Sequence, residues 1–116
     1  SGISPLVVWG DGSNIRDFIH SSDVAKGMLI AMESGLGPTQ PINLGSGTGH
    51  SIKQLLEIIL SNIDNPPEIL WDTSKVTGDK IRVLNTERSK GIGFVPTVSI
   101  EDGIKDSIRW YNDNKK

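Results

Sequence analysis

A chain of 116 residues carrying 12 basic and 14 acidic side chains is one domain's worth, and its formal charge of −2 offers no general attraction to nucleic acid or to an anionic membrane. It has no cysteine, which removes disulfides, thiolate nucleophiles and cysteine-based metal sites and agrees with a reducing compartment, the cytoplasm by default. Neither a bilayer-length apolar run nor a basic-then-hydrophobic start is visible, so no membrane segment or signal peptide is expected, and phosphate chemistry must rest on individually placed cations.

Residues 5–9, PLVVW, read as a strand closed by the tight turn Gly10-Asp11-Gly12-Ser13, after which residues 16–20 stay extended. Ser21 or Ser22 is suited to cap a first helix with Val24, Met28, Ala31 and Met32 on one face, Asp23 favourable in its first turn and Gly35 at its end. Residues 41–44 read as a short strand leading into Gly45-Ser46-Gly47-Thr48-Gly49. Ser51 and Gln54 then have capping-box spacing for a second helix whose buried stripe is Ile52, Leu55, Leu56, Ile59 and Ile63. Pro66-Pro67 stops it, residues 68–72 are strand-like, and residues 73–80 form a polar loop of no clear period. Residues 81–84 alternate weakly, Thr86 is placed to cap a short helical turn, and Ser99 opens a last helix with Ile100, Ile104, Ile108 and Tyr111 at helical spacing. The tail 112–116 is expected to fray. The whole predicts an α/β segment of about three main helices and short strands.

Three motifs carry chemistry or imitate it. Gly45-Ser46-Gly47-Thr48-Gly49 lies between a predicted strand and a capped helix like a small dinucleotide fingerprint, but His50 stands where the third glycine belongs, which favours a simple chain reversal. Tyr111 and Lys115 have the Tyr-x-x-x-Lys spacing of a phenol acid/base and its lysine, yet they sit at the chain's end, where Tyr111 completes an apolar stripe. The third is Trp9-Gly10-Asp11-Gly12-Ser13 followed by Arg16-Asp17-Phe18-Ile19-His20 and Asp23-Val24-Ala25. An arginine just beyond a glycine turn can meet two oxygens of a diphosphate at once; the plain alternative is a surface Arg16 paired with Asp17.

That third segment, with Ile42-Asn43-Leu44-Gly45, Trp71-Asp72-Thr73-Ser74-Lys75 and Gly78 following in order, resembles the extended short-chain dehydrogenases of the NAD-dependent epimerase/dehydratase family, with the GDP-L-fucose synthases as the nearest branch. The resemblance covers nearly the whole chain and implies a C-terminal substrate-binding part, residues 1–116, without the Rossmann coenzyme half. It implies that Arg16 contacts a sugar-nucleotide diphosphate and that Trp9 lies near the nucleotide, against the alternative that Trp9 is core. It also implies that the loop bearing Lys75 closes over the nucleotide, with Arg82 where the family has a phosphate-binding cation; Lys75 and Lys80 could equally be solvated. Val76 and Thr77 replace the family's Pro-Asp pair in that loop, which alters its turn geometry. His20 resembles the family's structural histidine before the first helix.

The same resemblance implies that NADP or NAD and the catalytic tyrosine and lysine belong to the other half, so that this chain binds no coenzyme and is inactive alone. The start Ser1-Gly2 suggests a trimmed or processed chain. Expected partners are a nucleotide-sugar substrate, the missing half and a second copy by self-association, with no nucleic acid and no membrane. Two other readings stay open: a free-standing nucleotide or dinucleotide module using Gly45 to Gly49, and a non-catalytic interaction domain.

Overall fold

The computed structural model describes residues 4–116. Strand β1 (Leu6–Trp9) pairs in parallel with β4 (Ile69–Asp72), in register from Leu6 opposite Ile69 to Trp9 opposite Asp72. Strand β2 (Ile15–Asp17) is the centre of a second small sheet, parallel to β5 (Ile81–Arg82) and antiparallel to β3 (Gly49–Ser51). Two strand-turn-strand arms therefore run side by side: β1 turns into β2 through residues 10–14, and β4 reaches β5 through residues 73–80. Parallel pairing needs long crossovers, which the helical segments between the arms supply.

Helix α1 (Ser21–Glu33) is capped by His20 rather than by either serine: His20 Nδ1 accepts from the Ser22 amide at 3.1 Å. Its other ring nitrogen lies 3.0 Å from Asp106 Oδ2, so one imidazole ties the start of α1 to the last helix. The expected buried face also changes. Asp23 and Gly27 point inward, while Met28, Leu29 and Met32 are 57%, 59% and 79% exposed. A Cβ on Gly27 would stand 2.7 Å from Leu44 Cδ2 and 3.1 Å from Phe94, so a bare helix face is what lets these residues close on α1. Helix α2 (Ile52–Ser61) starts on the predicted capping box, with Gln54 N donating to Ser51 Oγ at 3.0 Å and Ser51 N to Gln54 Oε1 at 2.9 Å.

The short α3 (Glu87–Gly91) follows Thr86, but Thr86 makes no side-chain cap; the Asn85 carboxamide oxygen accepts from the Glu87 amide instead. Helix α4 (Ile100–Asn114) begins on Ser99 as predicted, whose hydroxyl accepts from Asp102 N at 3.1 Å. It continues through residues 112–114, where fraying was expected. Asn114 Nδ2 donating to the Trp110 carbonyl at 2.8 Å and the Lys115 amide donating to Tyr111 O help to close the last turn. Residues 41–44 form no strand, since no described residue offers them a backbone ladder.

The core is thin. Phe94, 1% exposed, is the fully buried large apolar side chain among the described residues. The accessible surface of 8243 Å² exceeds by about a third the roughly 6,200 Å² expected of a compact monomer of this size. The radius of gyration, 17.1 Å, likewise exceeds the compact value of about 13 Å. The surplus is partly apolar: besides the outer face of α1, Leu6 and Val7 on β1, Leu70 on β4, and Trp110 and Tyr111 on α4 stand in solvent. A helix with apolar residues on both sides is the pattern of one covered on both sides.

Candidate functional site

The two arms meet at the turn after β1. Gly10 is buried with φ of +93°, a conformation open to glycine, and a Cβ there would lie 2.5 Å from Thr77 Cγ2, so the loop 73–80 rests directly on this turn. Asp72 opens the loop by accepting from Ser74 N at 3.1 Å and from Ser74 Oγ at 2.5 Å. The Gly10 amide donates to Asp72 O, and Ile15 N donates to Lys80 O at 2.8 Å, which fastens both ends. Between turn and loop is an open cleft of about 280 Å³ whose lining includes Asp11, Ser13, Lys75 and Lys80. Asp11 accepts from Ser13 N and Oγ, which hold its carboxyl below the usual range.

All four sequence-predicted residues lie around this loop. Trp9, 62% exposed, is on the surface and not in the core, with Lys75 Nζ 5.7 Å from its ring centroid, within cation–π range. Arg16 does not pair with Asp17, because successive residues of a strand point to opposite faces. Its guanidinium instead runs under the loop, Nη1 donating to Asp79 O and to Ile15 O at 2.8 Å each and Nη2 to Thr77 O at 3.4 Å. Arg82 is the strand partner of Arg16 on β5, and its guanidinium forms an ion pair with the Asp79 carboxylate. Asn14 Nδ2 adds a further bond to Asp79 O at 2.9 Å. Arg82 and the Trp9 face thus stand at the surface beside the loop, while the Arg16 fork is held by the loop's own carbonyls, which an anion would have to displace.

The glycine turn 45–49 does not fit a dinucleotide. A pyrophosphate cradle needs free backbone amides. Here Ser46 N and Gly47 N donate to Asp17 at 2.8 and 3.0 Å, joined by Ser46 Oγ at 2.5 Å and Leu84 N at 3.3 Å, so the chain's own carboxylate fills the nest. Burial raises the pKa of Asp17, and these donors outweigh it and hold the group below the usual carboxylate range. Tyr111, 62% exposed, and Lys115 border an open groove beside Ile59 and Ile108, whose lining includes no residue of the loop 73–80. An apolar groove of about 310 Å³ between Phe18, Leu55 and Ile104 is lined by no lysine or arginine and lies where α2 and α4 pack. Among the described residues no cluster of three or more His, Cys, Asp or Glu could hold a metal, and no helix is long and apolar enough to cross a membrane.

Sequence reasoning missed two carboxylates that organise these elements. Asp17 was weighed only as a partner for Arg16. Asp23 was read as a helix-terminus charge, yet it is fully buried and accepts from Thr97 N at 3.1 Å, Thr97 Oγ1 at 3.1 Å and Val98 N at 2.9 Å. Both partners lie far away along the chain, and no local pattern announces them.

Residues 1–45 match the model of the NAD dependent epimerase/dehydratase family. The chain is 31% identical over 109 residues to a putative GDP-L-fucose synthase 2 of Arabidopsis thaliana, covering 94% of this chain and 33% of that protein. Among solved structures it superimposes on an epimerase of Methanothermobacter thermautotrophicus with a TM-score of 0.87 at 26% identity, covering 95% of this chain and 33% of the other. It also matches the UDP-glucose 4-epimerase of Thermotoga maritima, solved with UDP-glucose, with a TM-score of 0.77 at 26% identity over 97% of this chain and 36% of that one. The chain spans about a third of the length of the curated relatives it matches. Its α/β fold, the order of its motifs and these matches agree in what the chain is similar to: the NAD-dependent epimerase/dehydratase family, whose model matches its first 45 residues, and solved epimerases of that fold.

Proposed function

We propose that this chain is the C-terminal, substrate-gripping part of a sugar-nucleotide epimerase or reductase of the GDP-L-fucose synthase type. In this reading Arg16 and Arg82 hold the diphosphate, Trp9 and Lys75 flank the nucleotide, and the cleft between residues 10–14 and 73–80 receives it. NADP or NAD and the acid/base residues are supplied by another part of a longer protein. The observation that carries the reading is the convergence of two arginines and a lysine-capped tryptophan on one loop, in a chain whose glycine-rich turn is already filled by Asp17. The test is calorimetric titration of the chain with GDP, UDP, NAD and NADP. A nucleoside diphosphate should be preferred over either dinucleotide, and tighter binding of NAD or NADP contradicts the reading. The chain alone should also turn over no sugar nucleotide with either coenzyme.

The surplus apolar surface on α1, β1 and β4 fits a seat for the coenzyme half. Left uncovered, it should drive self-association. Sedimentation should show dimers or larger species and bind an apolar dye; a strict monomer without dye binding contradicts this part.

A further inference from the structure

Asp79 is attached to both arginines by different atoms. Its carbonyl accepts from Arg16 Nη1 and Asn14 Nδ2, and its carboxylate pairs with Arg82. Across the small sheet Arg16 has His50 and Arg82 as strand partners, so the three side chains share one face, while Asp17 belongs to the opposite pleat. That face is rich in nitrogen and poor in anions. The Nδ1 of His50 is buried there without a hydrogen-bond partner, and the strand residues of the row bring no carboxylate. The negative charge that reaches Arg82 comes from the loop.

We propose that Asp79 is an internal competitor for the anion of the proposed site: its carboxylate occupies the Arg82 guanidinium in the empty protein and must leave when a diphosphate arrives. The inference rests on the assignment of Arg16 and Arg82 to a diphosphate. Arg82 and Asp79 are 71% and 60% exposed at their side chains, and an exposed ion pair is weak enough to be exchanged. The fastening to Arg16 goes through backbone carbonyls, so Asp79→Asn removes the charge and leaves those bonds and the loop's path in place. Asp79 thus sets how strongly the site must be offered phosphate before it opens, and disfavours ligands with a single weak charge.

The experiment is a double-mutant cycle on the chain with inorganic pyrophosphate as the probe and GDP in parallel. Asp79→Asn should tighten pyrophosphate about two- to fivefold, the range an exposed ion pair commands, and the gain should vanish in the Arg82→Ala background. Unchanged or weaker binding in Asp79→Asn overturns the proposal. An equal gain with and without Arg82 overturns it too, since it would show only the loss of background charge. If GDP binds in an Arg16-dependent manner while Asp79→Asn changes nothing, the competitor fails and the substrate site stands. If neither probe binds the wild type or Asp79→Asn, both fail.

Discussion

Asp23→Ala should unfold this chain more readily than any substitution at its surface, by about 2–4 kcal/mol in urea denaturation, because it strands two backbone donors at once. The carboxylate is fully buried in the first turn of α1 and accepts from Thr97 N, Thr97 Oγ1 and Val98 N, which bind the segment before α4 to the helix. Alanine removes the acceptor and leaves the amides of Thr97 and Val98 facing a gap. Asn should lose less, since one oxygen remains, but its amide group turns donors toward donors. Burial raises the carboxyl's pKa, and the amides of Val98 and Thr97 with the Thr97 hydroxyl outweigh it, so Asp23 titrates below its ordinary value of 3.8. A group lowered on folding contributes stability that is complete above the unfolded value and is lost as pH falls through the folded one. The gap between wild type and Asp23→Ala should therefore be constant near neutrality and narrow below about pH 4. A gap that widens in acid, or an alanine variant as stable as the wild type, contradicts this account.

How much of this was readable in advance follows the range of each interaction. The Ser51–Gln54 capping box and the Ser99 cap are satisfied within three residues, and their sequence pattern is their structure. β1 and β4 also read correctly from β-branched and aromatic runs. Residues 41–44, PINL, read as a strand on their two apolar residues, but they find no ladder, and a strand is a property of a pair. On α1 the apolar period pointed to Met28 and Met32, yet the inward face is Asp23 and Gly27, because Leu44 and Phe94 arrive from elsewhere in the chain and need the room. The cap of that helix could be His20 only because Asp106, 86 residues on, orients the ring.

At the site the same division holds. Arg16 was legible as a fork beside a glycine turn, and Trp9, Lys75 and Arg82 entered through the family resemblance; the structure brings all four to one loop. What they do to that loop was not legible. The hold of Arg16 on the carbonyls of Thr77 and Asp79 depends on the register of β2 with β5, which fixes the loop above the strand. Arg16 is consequently both anchor and candidate ligand, and any test must separate the two.

Arg16→Ala and Arg16→Lys do so when placed in the full-length protein to which this reading assigns the chain. Alanine deletes charge and fork and should weaken the sugar nucleotide by about 1.5–3 kcal/mol, the value of a charge-assisted hydrogen bond. Lysine retains the charge on a compact ammonium that cannot meet two oxygens in parallel, and should recover only part of the loss. A purely structural anchor would behave differently. Lysine could still donate to one loop carbonyl, and loosening the loop would reach the diphosphate only indirectly. Coenzyme affinity should hardly change, because the proposed reading assigns the coenzyme to another part of the protein and Asp17 fills the glycine turn 45–49 of this chain. The measurement is the dissociation constant of the sugar nucleotide and of NADP(H), side by side, for wild type, Arg16→Ala and Arg16→Lys. A loss confined to the sugar nucleotide, largest in alanine and partly restored in lysine, is the expected result; an unchanged sugar-nucleotide constant in Arg16→Ala, or a loss confined to NADP(H), contradicts the claim that this chain grips the diphosphate.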